Sequence, residues 1–234
     1  MARKTCFVTG TDTGVGKTIV SAAILEAAKA LGKRTLAMKP IASGCEQTPE
    51  GLRNEDALML QAAMTESLSY DSVNPIALAP AIAPHVAARQ AGSHLTAQRL
   101  IGFCRGVQMR PGDLLLVEGA GGWRVPLNDQ ETYAAVPRDL ELDVLLVVPL
   151  QLGCINHALL SAEAIRADGL RLAGWVANHP HQETMDCEQE TLTYLLNHLD
   201  APCLGVLPWL EDQDPGDLPK ALARHLNLSE LFEN

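Results

Sequence analysis

Runs of consecutive apolar residues recur along the chain at residues 4–9, 35–38, 113–118, 144–148, 172–177 and 203–207. They are short, and their apolar residues sit at successive positions instead of alternating with polar ones. Strands buried on both faces of a parallel sheet read this way. Between them the apolar spacing lengthens to three and four. Val20, Ala23, Ile24, Ala27, Ala28 and Leu31 fall on one face of a helix beginning near Ile19, for which Gly32 supplies a stop. Leu159, Leu160, Ala162 and Ile165 repeat the pattern ahead of Gly169. A further helix carries Asp56 in its first turn with Leu58, Leu60 and Met64 beyond, and others are predicted over 95–108, 186–199 and 218–226.

Strands alternate with helices throughout, and no proline-rich linker, internal repeat or low-complexity tract divides them. This predicts an α/β fold: one domain over residues 1–234, with a doubly wound, mostly parallel sheet and helices on both faces. The first strand, helix and strand form a βαβ unit whose crossover is right-handed. Two stretches escape the periodicity. Residues 40–55, PIASGCEQTPEGLRNE, read as a long loop after the second strand, and Asn74 to His85, with Pro75, Pro80 and Pro84, reads as an extended excursion over the surface. Ligands of doubly wound sheets bind outside the carboxyl ends of the strands. Thr9, Gly10, Lys39, Glu118, Gln151 and Asn178 all fall on that rim.

Composition narrows the partners. Hydrophobic residues make up 47% and charged residues 20%, an ordinary globular balance, while only 4% are aromatic, so the core is expected to be aliphatic. Eighteen Lys and Arg against 28 Asp and Glu give a net charge of −10, which argues against nucleic acid and anionic membrane surfaces as partners. Cys6, Cys45, Cys104, Cys154, Cys187 and Cys203 never approach CxxC spacing and read as reduced thiols. No apolar segment of signal or membrane length is present, so a soluble, cytoplasmic protein is expected.

Two stretches carry chemistry. In Gly10–Thr18, GTDTGVGKT, a strand breaks into a glycine-bearing loop and then a helix, so that loop and first-turn N–H groups converge on phosphate. Lys17 adds a point charge and Thr18 a hydroxyl for Mg²⁺. Five residues separate Gly10 from Gly16, one more than in the common phosphate loop. The second stretch is an apolar strand ending in Glu118, placed to reach Mg²⁺, followed by Gly119, Ala120, Gly121 and Gly122, which allow close backbone approach to a ligand. Thr18, Asp56 and Glu118 offer oxygen ligands to a hard cation. Lys17 and Lys39 bring two positive charges to the same place, with Ser43 over that point, and positive charge stabilises a transferring phosphoryl group. No Ser-His-Asp set or metal-binding His pair is evident, and His157, His179 and His181 read as surface or helix-end residues. The residues alone reach MgATP-dependent phosphoryl transfer to a small ligand and stop there.

GTDTGVGKT, KPIASG, TPEGLRNEDAL, VEGAGGW, LGCINHALL, GWVAN and LGVLPWL, in this order across nearly the whole chain, resemble the dethiobiotin synthetases. The resemblance implies ring closure of 7,8-diaminononanoate with CO₂ and MgATP, through a carbamate that is phosphorylated and then attacked by the neighbouring amine. It implies that Gly14, Val15, Gly16 and Lys17 wrap the phosphates, and that Thr18, Asp56 and Glu118 serve Mg²⁺. It also implies that Gly119, Ala120 and Gly121 lie beside the nucleotide and that Lys39, with Lys17, is catalytic. Thr13 and Ser43 match substrate contacts. Asn178, with His179, Pro208, Trp209 and Leu210, matches an adenine pocket. The family is a homodimer, and Gly153, Cys154, Ile155 and Asn156 match the segment through which a partner chain holds the substrate's carboxylate tail. Position 14 is Gly where one branch of the family has Glu, and the match lapses over Glu183 to Tyr194, leaving Tyr194 as the candidate for the family's substrate tyrosine. A partitioning-type ATPase switch would share the fold, but its extra loop lysine is missing at Thr11 and Asp12.

Overall fold

The computed structural model describes residues 3–211 and 213–233, Glu233 by its backbone alone. The six apolar runs become strands β1 (Lys4–Gly10), β2 (Thr35–Met38), β3 (Leu114–Glu118), β4 (Asp143–Pro149), β5 (Leu172–Asn178) and β6 (Cys203–Leu207). They form one six-stranded sheet in the order β6-β5-β4-β1-β3-β2, with every neighbouring pair parallel. The expected burial holds: Leu114, Leu115, Leu116 and Val117 have no exposed surface. Three of the nine aromatics form a cluster, in which Phe7 meets Trp123 and Tyr133 edge-on at 6.1 and 5.4 Å.

The main helices are α1 (Lys17–Ala30), α2 (Glu55–Ala63), α3 (Ala97–Gln108), α4 (Cys154–Ala167) and α5 (Glu188–His198). The chain leaves β1 towards the β2 edge through α1, returns to β3, then passes β1 and moves outwards through α4 and α5. With right-handed crossovers this reversal puts α1 on one face of the sheet and α4 and α5 on the other; α2 packs on α1, and α4 on α5. The reversal flanks β1, so the crevice at its carboxyl end is where a ligand fits. Gly32 and Gly169 follow α1 and α4 with φ of 72° and 79°, the left-handed conformation that stops a helix.

Register decides which rim residues meet. Val8 lies opposite Glu118 and Met38 opposite Val117, so the residue after β2, Lys39, comes level with Glu118.

Three expectations are corrected. Residues 40–55 are not a plain loop: Ile41–Ser43 forms a parallel pair with Ile76–Leu78, and Glu46–Thr48 forms an antiparallel pair with Gly51–Arg53. Strands of three residues are too short to display a period. The hairpin closes through the Thr48 hydroxyl, which donates to Gly51 O at 2.8 Å. Asn74 to His85 is not a surface excursion, because Ile76 and Leu78 are buried and Pro84 opens a helix, Pro84–Gln90. The final helix breaks after Leu222 into a 3₁₀ turn, Ala223–His225. The short helices Tyr70–Val73, Ala135–Asp139 and Ser229–Glu233 had no sequence signal strong enough to mark them. All six cysteines are free thiols, and no helix among the described residues is long and apolar enough to cross a membrane.

Leu116, at the centre of β3, is sealed from both sides, so Leu116→Ala should lower unfolding free energy by about 2–5 kcal/mol in a denaturant titration.

Candidate active site

The loop between β1 and α1 is held by contacts from both neighbouring strands on one side of the sheet. Thr11 N–H donates to Val147 O of β4 at 3.2 Å, and Asn178 at the end of β5 donates through Nδ2 to Val15 O at 3.0 Å. Val15 is buried against Gly10, where a Cβ would fall 2.4 Å from Val15 Cγ2. Gly16 turns the chain into α1 with φ of 90°, and a Cβ there would fall 2.3 Å from Asn178 Nδ2. Both loop ends therefore need glycine for space, and the second for conformation as well. Thr13 and Gly14 are exposed at the loop's crest, and Thr13 N–H donates to the Asp12 carboxylate at 2.7 Å. Thus fixed, the loop leaves the first-turn N–H groups of α1 at the crevice, an arrangement suited to phosphate.

Beside the loop lies a cluster of buried charge. Lys39 Nζ is 2.6 Å from Glu118 Oε1 and 2.8 Å from Asp56 Oδ2. Thr18 donates its hydroxyl to the same Glu118 oxygen at 2.7 Å. Lys17 Nζ donates to Asp12 O at 2.8 Å, and both lysines are buried. Burial penalises the charge on Lys39, but Glu118 and Asp56 outweigh it and hold its pKa above the ordinary lysine range. Burial also works against Asp56, yet Lys39 and the Thr18 hydroxyl keep its pKa below the usual value. Lys17 has no comparable partner: burial depresses its pKa to about 8 against the pull of Glu118.

Glu118 is fully buried, and its second oxygen, Oε2, has no hydrogen-bond partner. Such an atom calls for a ligand. A hydroxyl and two carboxylates, one of them with an unpartnered oxygen, suit Mg²⁺, whose other positions would be filled by phosphate oxygens and water. No set of three His, Cys, Asp or Glu among the described residues could hold a metal by itself. Ser43 presents a buried hydroxyl oxygen without a partner.

The glycines after β3 lie against the loop. Gly119 N–H is taken by Val8 O at 2.9 Å, while a Cβ on Gly122 would press on Thr11 O at 3.3 Å. Gly121 has φ of 60° and Ala120 is half-buried between them. Beyond them Trp123 Nε1 donates to Asp168 Oδ2 at 2.8 Å, and Arg124 pairs with both oxygens of that carboxylate, fastening the segment to the end of α4.

At the ends of β5 and β6, His179, Pro208, Trp209 and Leu210 line a cleft of about 510 Å³. Asn178 does not line it, since its amide is turned into the phosphate loop. His179 is not the surface residue expected: its ring is largely buried, with Nδ1 2.9 Å from Leu207 O and Nε2 2.9 Å from Glu188 Oε2. His157 and His181 are exposed. Gly153 opens α4 with φ of 95°; Cys154 is buried, Ile155 half-buried and Asn156 exposed. Among the described residues no hydrogen bond or ion pair joins Gly153–Asn156 to the Lys39 cluster. Tyr194 stacks on His198 of its own helix, with ring centroids 3.8 Å apart.

A family described as an AAA domain matches residues 4–216. The ATP-dependent dethiobiotin synthetase BioD of Marinobacter nauticus is 76% identical over 234 residues, covering all of both chains. The chain belongs to the dethiobiotin synthetase family. The synthetase of the same name from Pseudomonas aeruginosa strain UCBPP-PA14 is 55% identical over 225 residues, 96% of each chain. Among solved structures, the ParA family ATPase of Chlorobium tepidum shares the fold with a TM-score of 0.55 at 12% identity, covering 99% of this chain and 96% of that one. Within the dethiobiotin synthetase fold, sequence reading missed two features. One is the Asn178 clamp on Val15, a contact between distant segments that leaves no local trace. The other is the polar network around Asn74 beneath Lys39, whose only sequence signal was Asn54 placed as a helix cap before Glu55 and Asp56.

Lys17 sets a pH dependence. A phosphate beside it raises its pKa again, so ATP binding should take up a proton. The uptake is about half a proton at pH 8, closer to one at pH 9 and small at pH 7, because below the free-state pKa the amine is already charged. Calorimetry in buffers of different ionisation enthalpy measures it, and identical heats at pH 9 would contradict the assignment.

Proposed function

We propose that this chain, as one domain over residues 1–234, forms the ureido ring of dethiobiotin from 7,8-diaminononanoate, CO₂ and ATP, in biotin biosynthesis in the cytoplasm. The observation that carries this reading is Lys39. Its ammonium sits between Asp56 and Glu118, and Glu118 also takes the hydroxyl of Thr18 from the phosphate-loop helix, which supports one side chain serving both the phosphoryl donor and its acceptor. Identity of 76% and 55% to proteins named ATP-dependent dethiobiotin synthetase supports this reading.

One amine of the substrate attacks CO₂ and loses a proton, giving a carbamate whose anionic oxygens Lys39 attracts. A carbamate oxygen then attacks the γ-phosphorus and ADP leaves, giving a carbamoyl phosphate. The second amine attacks the carbonyl carbon and loses a proton, the C–O bond to phosphate breaks so that phosphate leaves, and the cyclic urea forms. Lys17 and the α1 N-terminus hold the phosphates in line, and Lys39 offsets charge as it shifts between carbamate and phosphate. Mg²⁺, held by Thr18, Asp56 and Glu118, would neutralise phosphate charge. Thr13 and Ser43 face the diamino acid. His179, Pro208, Trp209 and Leu210 receive the adenine, with Asn178 fixing the loop beside it. A homodimer places Gly153–Asn156 of the partner chain against the substrate carboxylate, where a helix N-terminus favours an anion.

ADP release should require both the diamino acid and bicarbonate in a coupled assay. ADP formation indifferent to the diamine would overturn the synthetase reading and favour a nucleotide switch. Lys39→Ala should keep ATP affinity within a few-fold while product formation falls by about 10²–10³. Normal turnover by that variant would remove Lys39 from the chemistry.

A further inference from the structure

Lys39 and Asp56 lie on separate elements, and a second set of contacts joins those elements behind the ion pair. The Lys39 peptide is gripped on both sides: its N–H donates to Val73 O at 2.8 Å, and its carbonyl accepts from Asn74 Nδ2 at 2.8 Å. The same amide reaches Ile76 O at 3.3 Å, and Asn74 Oδ1 accepts from the Tyr70 hydroxyl at 3.1 Å. That hydroxyl in turn accepts from Asn54 N–H at 2.7 Å. Asn54 caps α2 by accepting from Ala57 N–H at 3.3 Å, one turn that includes Asp56. From Asp56 the ion pair returns to Lys39.

We propose that Tyr70 and Asn74 are positioning residues that hold Lys39 and Asp56 at reacting distance, closing a ring of hydrogen bonds behind the ion pair. The proposal rests on the synthetase reading for its catalytic consequence. The residue types fit the task. Asn74 and Asn54 are buried; Asn74 finds partners for its whole amide inside the ring, and Asn54 uses its backbone N–H and its side-chain oxygen there. Asn74 uses both amide protons on carbonyls and its oxygen on a hydroxyl, a set that aspartate cannot reproduce. Tyr70 donates once and accepts once, and burial raises its pKa, so the phenol keeps the proton it donates. Its ring is covered by the Arg53 guanidinium 4.2 Å from the centroid, which ties the ring of contacts to the hairpin of Glu46–Thr48 and Gly51–Arg53.

Tyr70→Phe keeps the ring and removes both hydrogen bonds. Amide exchange on the protein without ligands should quicken at least tenfold at Asn54 and Ala57. In turnover kcat should fall 10- to 100-fold, the scale on which residues orienting a first set of ligands act, with KM for ATP within about threefold. In an Asp56→Asn background the same change should add little, because no carboxylate remains to be positioned. Asn74→Ala should behave alike, which guards against a fault peculiar to one variant. Equal losses in both backgrounds, or unchanged exchange at Asn54 and Ala57, would overturn the proposal. Absence of product from the wild-type protein would strike the assigned reaction, and exchange would then decide the relay alone.

Discussion

Everything at the crevice depends on a balance of four charges, three of them buried and the fourth, Asp56, half-exposed. Lys17 and Lys39 face Glu118 and Asp56, and Glu118 has no exposed surface. A buried carboxylate of this kind persists because Lys39 and Thr18 meet one of its oxygens; removing one member of such a pair typically costs about 3–5 kcal/mol. The pairing is uneven. Lys39 answers two carboxylates, whereas Lys17 rests on a carbonyl and is correspondingly loosened from its proton. An incoming polyanion therefore finds one cation already committed and one short of a partner, and the unpartnered oxygen of Glu118 gives a divalent cation its reason to accompany the anion.

The sheet explains how residues far apart in sequence reach that balance. Parallel register sets Phe7, Val117 and Met38 on one level, so Glu118 and Lys39, the residues after the last two, emerge together at the rim with Val8 beside Glu118. Small residues then let the loops close over each other: Gly10 and Gly16 admit the flanking side chains, and Gly122 admits the backbone of Thr11. The fold places the charges; hydrogen bonds from Asn178, Asn74 and Trp123 stop the loops that bear them from drifting.

Much of this was legible in the sequence because strands buried on both faces declare themselves as apolar runs, and loops that bind phosphate need glycine at fixed places. Lys39 and Glu118 could be set on one rim from strand ends alone. What stayed hidden was of two kinds. Ile41–Ser43 and Ile76–Leu78 are too short to show a period, so a paired, buried unit passed for loop. Asn74 and Tyr70 act through contacts whose partners are set by tertiary packing, and in a stretch beside Pro75 an asparagine looks like any turn former. Asn178 was recognisable as a rim residue, but not the side to which it turns.

The clamp between Asn178 and the loop carries one more consequence. The space a side chain at position 16 would need is occupied by the amide that secures Val15. A larger residue at 16 demands a smaller one at 178, and a smaller one at 178 releases the loop. Two positions at opposite ends of the sequence are thus locked into a single choice, and a redesign of the nucleotide cleft has to treat them as one site.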